Sequence, residues 1–135
     1  MPYSFLRLFP LSLLLLAATC QQRSASIPTM KAIEGIWLMS QEENSGDTLV
    51  YRPNTYAFPP ARGRTGFAFK PFGRFEQFDI APTDGLAGRP GTWVIDKETH
   101  VRIHLDEGQE PEYTLEVLSI DEKRQVLKVR RLPQP

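Results

Sequence analysis

Arginines and aromatic rings alternate between Tyr51 and Thr65 (YRPNTYAFPPARGRT), and it is here that the chain gathers groups able to hold an anion. Arg52, Arg62 and Arg64 carry guanidinium forks suited to a carboxylate or a phosphate. Tyr51, Tyr56 and Phe58 add flat apolar faces. Pro53, Pro59 and Pro60 stiffen the backbone and cannot donate to a sheet ladder, so the segment reads as an ordered loop. Two roles fit it. It forms a lid over an open barrel end, or Arg62 and Arg64 pair with acids such as Glu76 or Asp79 and staple the loop down. Other chemistry has less support. His100 and His104 lie in a strand pattern, roughly 13 Å apart along one face, too far to share a metal. The sequence contains no nucleophile elbow and no phosphate-cradling glycine loop, and nothing pairs two acids as acid and base. No catalytic residue, metal or cofactor is expected, and the chain reads as a non-enzyme.

The elements that must position these groups are short strands. After a helical turn expected at residues 29–34, period-two alternation begins and persists. Strands are expected at 35–40, 48–52, 65–70, 74–80, 91–96, 99–105, 113–120 and 125–131, joined by turns rich in Pro, Gly and Asp. The loop APTDGLAGRPG separates the fourth from the fifth. Trp37, Phe67, Phe69, Phe75, Phe78 and Trp93 either form the core or line a cavity. Phe75 and Phe78 differ in parity, so a regular strand cannot point both inward. Eight short antiparallel strands lose their exposed edges by closing into a barrel, which is favoured over a two-sheet sandwich.

Charge is balanced, with 16 Lys/Arg and 16 Asp/Glu. Residues 1–19 hold Arg7 and no acid, so the remainder is marginally acidic, and a nucleic-acid partner is excluded on that ground. A cationic start, the apolar run 11–16 and small residues lead to Cys20, the only cysteine, and the run is too short to cross a bilayer. This stretch resembles a bacterial lipoprotein signal. The resemblance implies a signal peptide over 1–19, lipidation at Cys20 (a diacylglyceryl group and acyl chains such as palmitate) and export. It also implies anchorage to a membrane of the cell envelope, facing the periplasm and reaching the outer membrane in a Gram-negative bacterium, where Gln21 after the cysteine permits transfer. Residues 20–28 read as a flexible tether and 29–135 as one domain.

Gly35-Ile36-Trp37 opens the first strand after a helical turn, eight strands follow, and Arg130-Arg131 ends the last. With these features the chain resembles the small lipocalin-like, calycin-type bacterial lipoproteins. The resemblance implies an up-and-down eight-stranded antiparallel barrel in which Arg131 stacks on Trp37 and seals the closed end, a contact of roughly 0.5–2 kcal/mol. It further implies a small apolar or anionic amphipathic ligand, with Trp37, Phe67, Phe69 and Trp93 as wall and Arg52, Tyr56, Arg62 and Arg64 as mouth. The alternative is an interaction module without a small-molecule ligand, an inhibitor or assembly accessory for an envelope protein, probing with the tail QQRSASIP.

Overall fold

Alternation of inward apolar and outward polar residues folds this chain into an all-β closed barrel of eight antiparallel strands with almost no helix. Residues 30–80, 86–121 and 123–134 are described by a computed structural model. The signal, Cys20, the tether and the turn Asp84-Gly85 lie outside the described residues. The strands are β1 (Gly35–Met39), β2 (Leu49–Pro53), β3 (Gly66–Lys70), β4 (Arg74–Ile80), β5 (Leu86–Asp96), β6 (His100–Leu105), β7 (Glu112–Ile120) and β8 (Leu127–Arg131). In β6, Val101, Ile103 and Leu105 are buried while Arg102 and His104 are exposed, the two-residue repeat of a half-buried strand.

The order around the barrel is β1-β2-β8-β7-β6-β5-β4-β3, with β3 returning to β1. Thus β1 sits between β2 and β3, and the terminal strand β8 pairs with β2 through Leu49–Val129 and Tyr51–Leu127. This differs from a strict sequential order, in which β8 would meet β1. The cause is the 54–65 segment. β2 and β3 both run antiparallel to β1, so the chain leaving β2 has to travel back along the outside of β1 before β3 begins. Gly66 permits the tight approach there, because a Cβ at this position would overlap the carbonyl oxygen of Trp37.

β5 begins at Leu86, five residues earlier than its alternation suggests, and Arg89 and Pro90 pair with Gln77 and Glu76. The Pro90 carbonyl accepts from Asp106 N at 3.0 Å. The missing N–H of Pro90 therefore lies on the β6 side and costs the β4 ladder nothing.

The two ends of the barrel differ. One is plugged by the helical turn α1 (Met30–Ile33), whose Ile33 is fully buried and whose Ile33 carbonyl accepts from Trp37 Nε1 at 2.9 Å. Between the ends the interior is solid. Phe67 and Phe69 have ring centroids 4.8 Å apart, Phe69 lies 5.2 Å from Phe75 and 5.1 Å from Trp93, and Tyr51 lies 4.4 Å from Phe67. Such pairs add roughly 0.5–1.5 kcal/mol each beyond area burial. Phe75 faces this core. Phe78, of opposite parity, is half-buried across from Gly66 and Gly88.

Candidate functional site

The inward positions change character at the unplugged end. On β4, Phe75 is followed at the same parity by Gln77 and Asp79; on β5, Trp93 and Gly91 are preceded by Arg89; on β8, Leu127 and Val129 are followed by Arg131. These side chains join into one network. Tyr113 Oη donates to Gln77 Oε1 at 2.6 Å, Gln77 Nε2 donates to Asp79 Oδ1 at 3.0 Å, and Arg89 Nη1 reaches Asp79 Oδ2 at 3.4 Å. Arg89 also donates to the carbonyls of Glu107 (2.8 Å) and Gln109 (3.1 Å), which fixes the β6–β7 loop beside the opening. The Arg131 guanidinium lies 4.6 Å from the centre of the Tyr113 ring and donates to Glu110 Oε2 at 3.1 Å.

Within this network is a cavity of about 190 Å³. Its lining is partly apolar (Met39, Leu49, Phe67 and Leu115) and partly polar (Tyr51, Gln77, Asp79, Tyr113 and Arg131). It has room for about six waters and is smaller than the cavities that take drug-sized ligands. Burial drives the pKa of the Tyr51 and Tyr113 phenols well above the usual value, with Arg131 pulling weakly the other way, so both are neutral hydroxyls able to donate. Tyr113 spends its proton on Gln77. Tyr51 Oη has no hydrogen-bond partner among the described residues, yet no described buried side-chain polar atom is unsatisfied, so this hydroxyl opens to the cavity.

The arginines of the 51–65 segment are elsewhere. Residues 54–65 form a strap over the outer face of β1, not a lid over the mouth. Asn54 N donates to Ile36 O (3.2 Å) at one end, and Met39 N donates to Thr65 O (2.9 Å) at the other. Arg52 forms a two-pronged ion pair with Glu43 (2.5 and 2.8 Å), and Arg64 does the same with Glu42 (2.6 and 2.9 Å). Both acids lie in the 3-10 turn Gln41–Glu43, so stapling does occur, with these partners and not with Glu76 or Asp79. Each guanidinium also covers a ring, Arg52 over Tyr56 at 4.6 Å and Arg64 over Phe58 at 4.5 Å. Arg64 further donates to the carbonyls of Met39 and Pro59. The bonds from Arg64 and Arg52 hold Glu42 and Glu43 each at a pKa of about 2, far below the usual carboxylate value. Arg62 is exposed and forms no ion pair among the described residues. Tyr56, Arg62 and Arg64 are therefore corrected from mouth to strap, and Arg52 from mouth to β2, where it pairs with Glu43.

The expected wall also needs revision. Trp37, Phe69 and Trp93 are packed into the solid core, and of the four expected wall residues only Phe67 borders the cavity. Arg131 does not meet Trp37, because β8 closes on β2 and carries Arg131 to the mouth. At the plugged end it is Arg124, from the β7–β8 turn, that donates to the carbonyls of Ala32 and Glu34 and so holds α1 in place. Sequence reasoning passed over Tyr51, Gln77, Asp79 and Tyr113 as cavity residues and Arg89 as their neighbour in the network; the polar residues that continue the inward parity of β4 and β5 were the available signal.

His104 Nδ1 lies 3.0 Å from Glu112 Oε1 on the outer face, and among the described residues no cluster of three His, Cys, Asp or Glu side chains could hold a metal. No protein-family model matches this chain, and neither the curated proteins nor the solved structures contain a match to it.

Proposed function

We propose that this protein is an envelope lipoprotein, lipocalin-like in kind, whose barrel mouth binds the end of a small amphipathic ligand. The observation that carries the reading is the 190 Å³ cavity with a partly apolar lining, the open Tyr51 hydroxyl and the Arg131 guanidinium beside it. An apolar end of the ligand rests on Met39, Leu49 and Phe67. A carboxylate or similar head accepts from Tyr51 and displaces Glu110 from Arg131, a charge-assisted contact suited to an anion. The solid interior below limits the fit to a ligand end and leaves no room for a whole lipid. The same observation favours a second reading, in which the occupant is a side chain of an envelope protein seated in the mouth.

Anchorage through Cys20 is part of the proposal. Thr19 and Ala17 depart from the residues that lipoprotein signals favour, so the Cys20→Ala variant is a direct test: it should fall well below the wild-type level in the membrane fraction.

Native mass spectrometry of the full-length protein, extracted from bacterial membranes in mild detergent, tests the ligand. A small molecule should co-purify and be depleted in Arg131→Gln and Tyr51→Phe. Protein that is empty, and that takes up no medium-chain carboxylate when these are added, would overturn the small-molecule reading. A captured protein lost in the same two variants would favour the second.

A further inference from the structure

At the plugged end the hairpin joining β3 to β4 turns through Pro71-Phe72-Gly73. Phe72 is 99% exposed, and its φ of +61° puts a bulky aromatic in the left-handed region that favours glycine. Both features oppose a purely structural role, since Asn or Gly would make the same turn without exposing a ring to water. The surroundings match. Pro71 and the 41% exposed Ile36 border an open groove of about 550 Å³ beside it. Lys31, Lys70 and Arg124 line that groove, and Arg74 is exposed at the start of β4. Against these stand Glu34, also in the groove, and Glu76, which pairs with Lys70 at 2.7 Å. The corner therefore combines a protruding aromatic with a surplus of positive charge.

The chain enters the barrel at this same end. Nine residues lie between Cys20 and Met30, ten Cα–Cα steps with a reach of at most about 35 Å. We propose that the plugged end, through Phe72 and the cations around it, rests on an anionic phospholipid surface, with the mouth turned away from the membrane. The inference rests on the proposed anchorage at Cys20, which brings this end within reach of the bilayer. Phe72 enters the headgroup boundary, as aromatic rings do at membrane interfaces. Lys31 and Arg74 attract the acidic lipid heads, each contributing about a fivefold gain in binding, while Lys70 is already paired with Glu76.

The test uses the mature chain from residue 20 carrying Cys20→Ala, which lacks both the apolar signal run 11–16 and the anchor, so that any vesicle binding comes from the surface. Flotation with vesicles of seven parts phosphatidylcholine to three parts phosphatidylglycerol should retain this protein. Phe72→Asn should weaken retention about tenfold while the melting temperature is unchanged or higher, because Asn tolerates the positive φ. Arg74→Glu should weaken it more than fivefold, and vesicles of phosphatidylcholine alone should bind little. A Phe72→Trp variant should shift its emission to the blue on the mixed vesicles. No such shift, or retention that Phe72→Asn leaves intact, would overturn the membrane contact. A blue shift that appears on raising the protein concentration without vesicles would overturn it in favour of a second copy of the chain. Failure of the anchor reading shows separately, as persistence of Cys20→Ala in cell membranes at the wild-type level.

Discussion

Two tyrosines in the mouth should respond oppositely to the loss of one oxygen atom. Tyr113→Phe removes a hydroxyl that donates to Gln77 Oε1 at 2.6 Å and leaves the ring under Arg131 unchanged. A net hydrogen bond is worth about 0.5–1.5 kcal/mol, and a stranded acceptor adds to the loss. Gln77 is only half-buried and water in the mouth can partly replace the donor, so the expected cost is about 1 kcal/mol. For a domain of this size that lowers Tm by about 4–5 °C. Tyr51→Phe removes a hydroxyl with no protein partner among the described residues and should change stability by less than about 0.5 kcal/mol. It should instead weaken a bound carboxylate, by about two- to tenfold, the worth of one hydrogen bond. Thermal unfolding by circular dichroism gives the first quantity and ligand titration the second. Equal melting losses for the two variants, or a Tyr113→Phe protein as stable as wild type, would refute the assignment of the open hydroxyl to Tyr51.

Gly66→Ala should force β1 and β3 apart at the Trp37 carbonyl and cost about 1–3 kcal/mol or more, read as a drop in denaturation midpoint at unchanged slope. Phe69→Ala, which leaves a void between Phe67, Phe75 and Trp93, should cost about 3–5 kcal/mol in urea unfolding. The strap should loosen in acid. Glu42 and Glu43 titrate near 2 in the folded barrel and at the ordinary value of 4.5 when released, so their contribution is complete above about pH 4.5 and disappears as pH falls through 2. Intrinsic-rate-corrected hydrogen exchange at Asn54 and at Met39, whose amides hold the strap ends, should show protection declining across that window.

The strands were readable because alternation is a local property: Val101, Ile103 and Leu105 declare an inward face without reference to any other part of the chain. The barrel followed from eight such segments with edges to hide. What alternation does not encode is which strands are neighbours. A strap and a lid have the same composition, and Pro53, Pro59 and Pro60 stiffen either. Only the placement of β1 between β2 and β3 sends residues 54–65 down the outside of the barrel and pairs Arg52 and Arg64 with Glu43 and Glu42. The same placement moves Arg131 from Trp37 to Tyr113. The cavity was partly legible, since Gln77, Asp79 and Arg89 continue inward parities that begin with Phe75 and Trp93. Polar residues at the end of an apolar row mark a wet end, and a row that simply stops does not. Arg124 gave no such signal, because a turn residue has no parity and its partners, the carbonyls of Ala32 and Glu34, are far away in sequence.

Titrating the ¹⁵N-labelled protein with octanoate, followed by amide chemical shifts, tests the central claim most directly. A ten-atom ligand gaining roughly 0.4 kcal/mol per atom should saturate with Kd about 1 mM. The account predicts that the largest shifts fall on Met39, Leu49, Tyr51, Tyr113, Leu115 and Arg131, with none along the 54–65 strap. Shifts confined to the strap or to the plugged end, or no saturable shift at any residue, would contradict it.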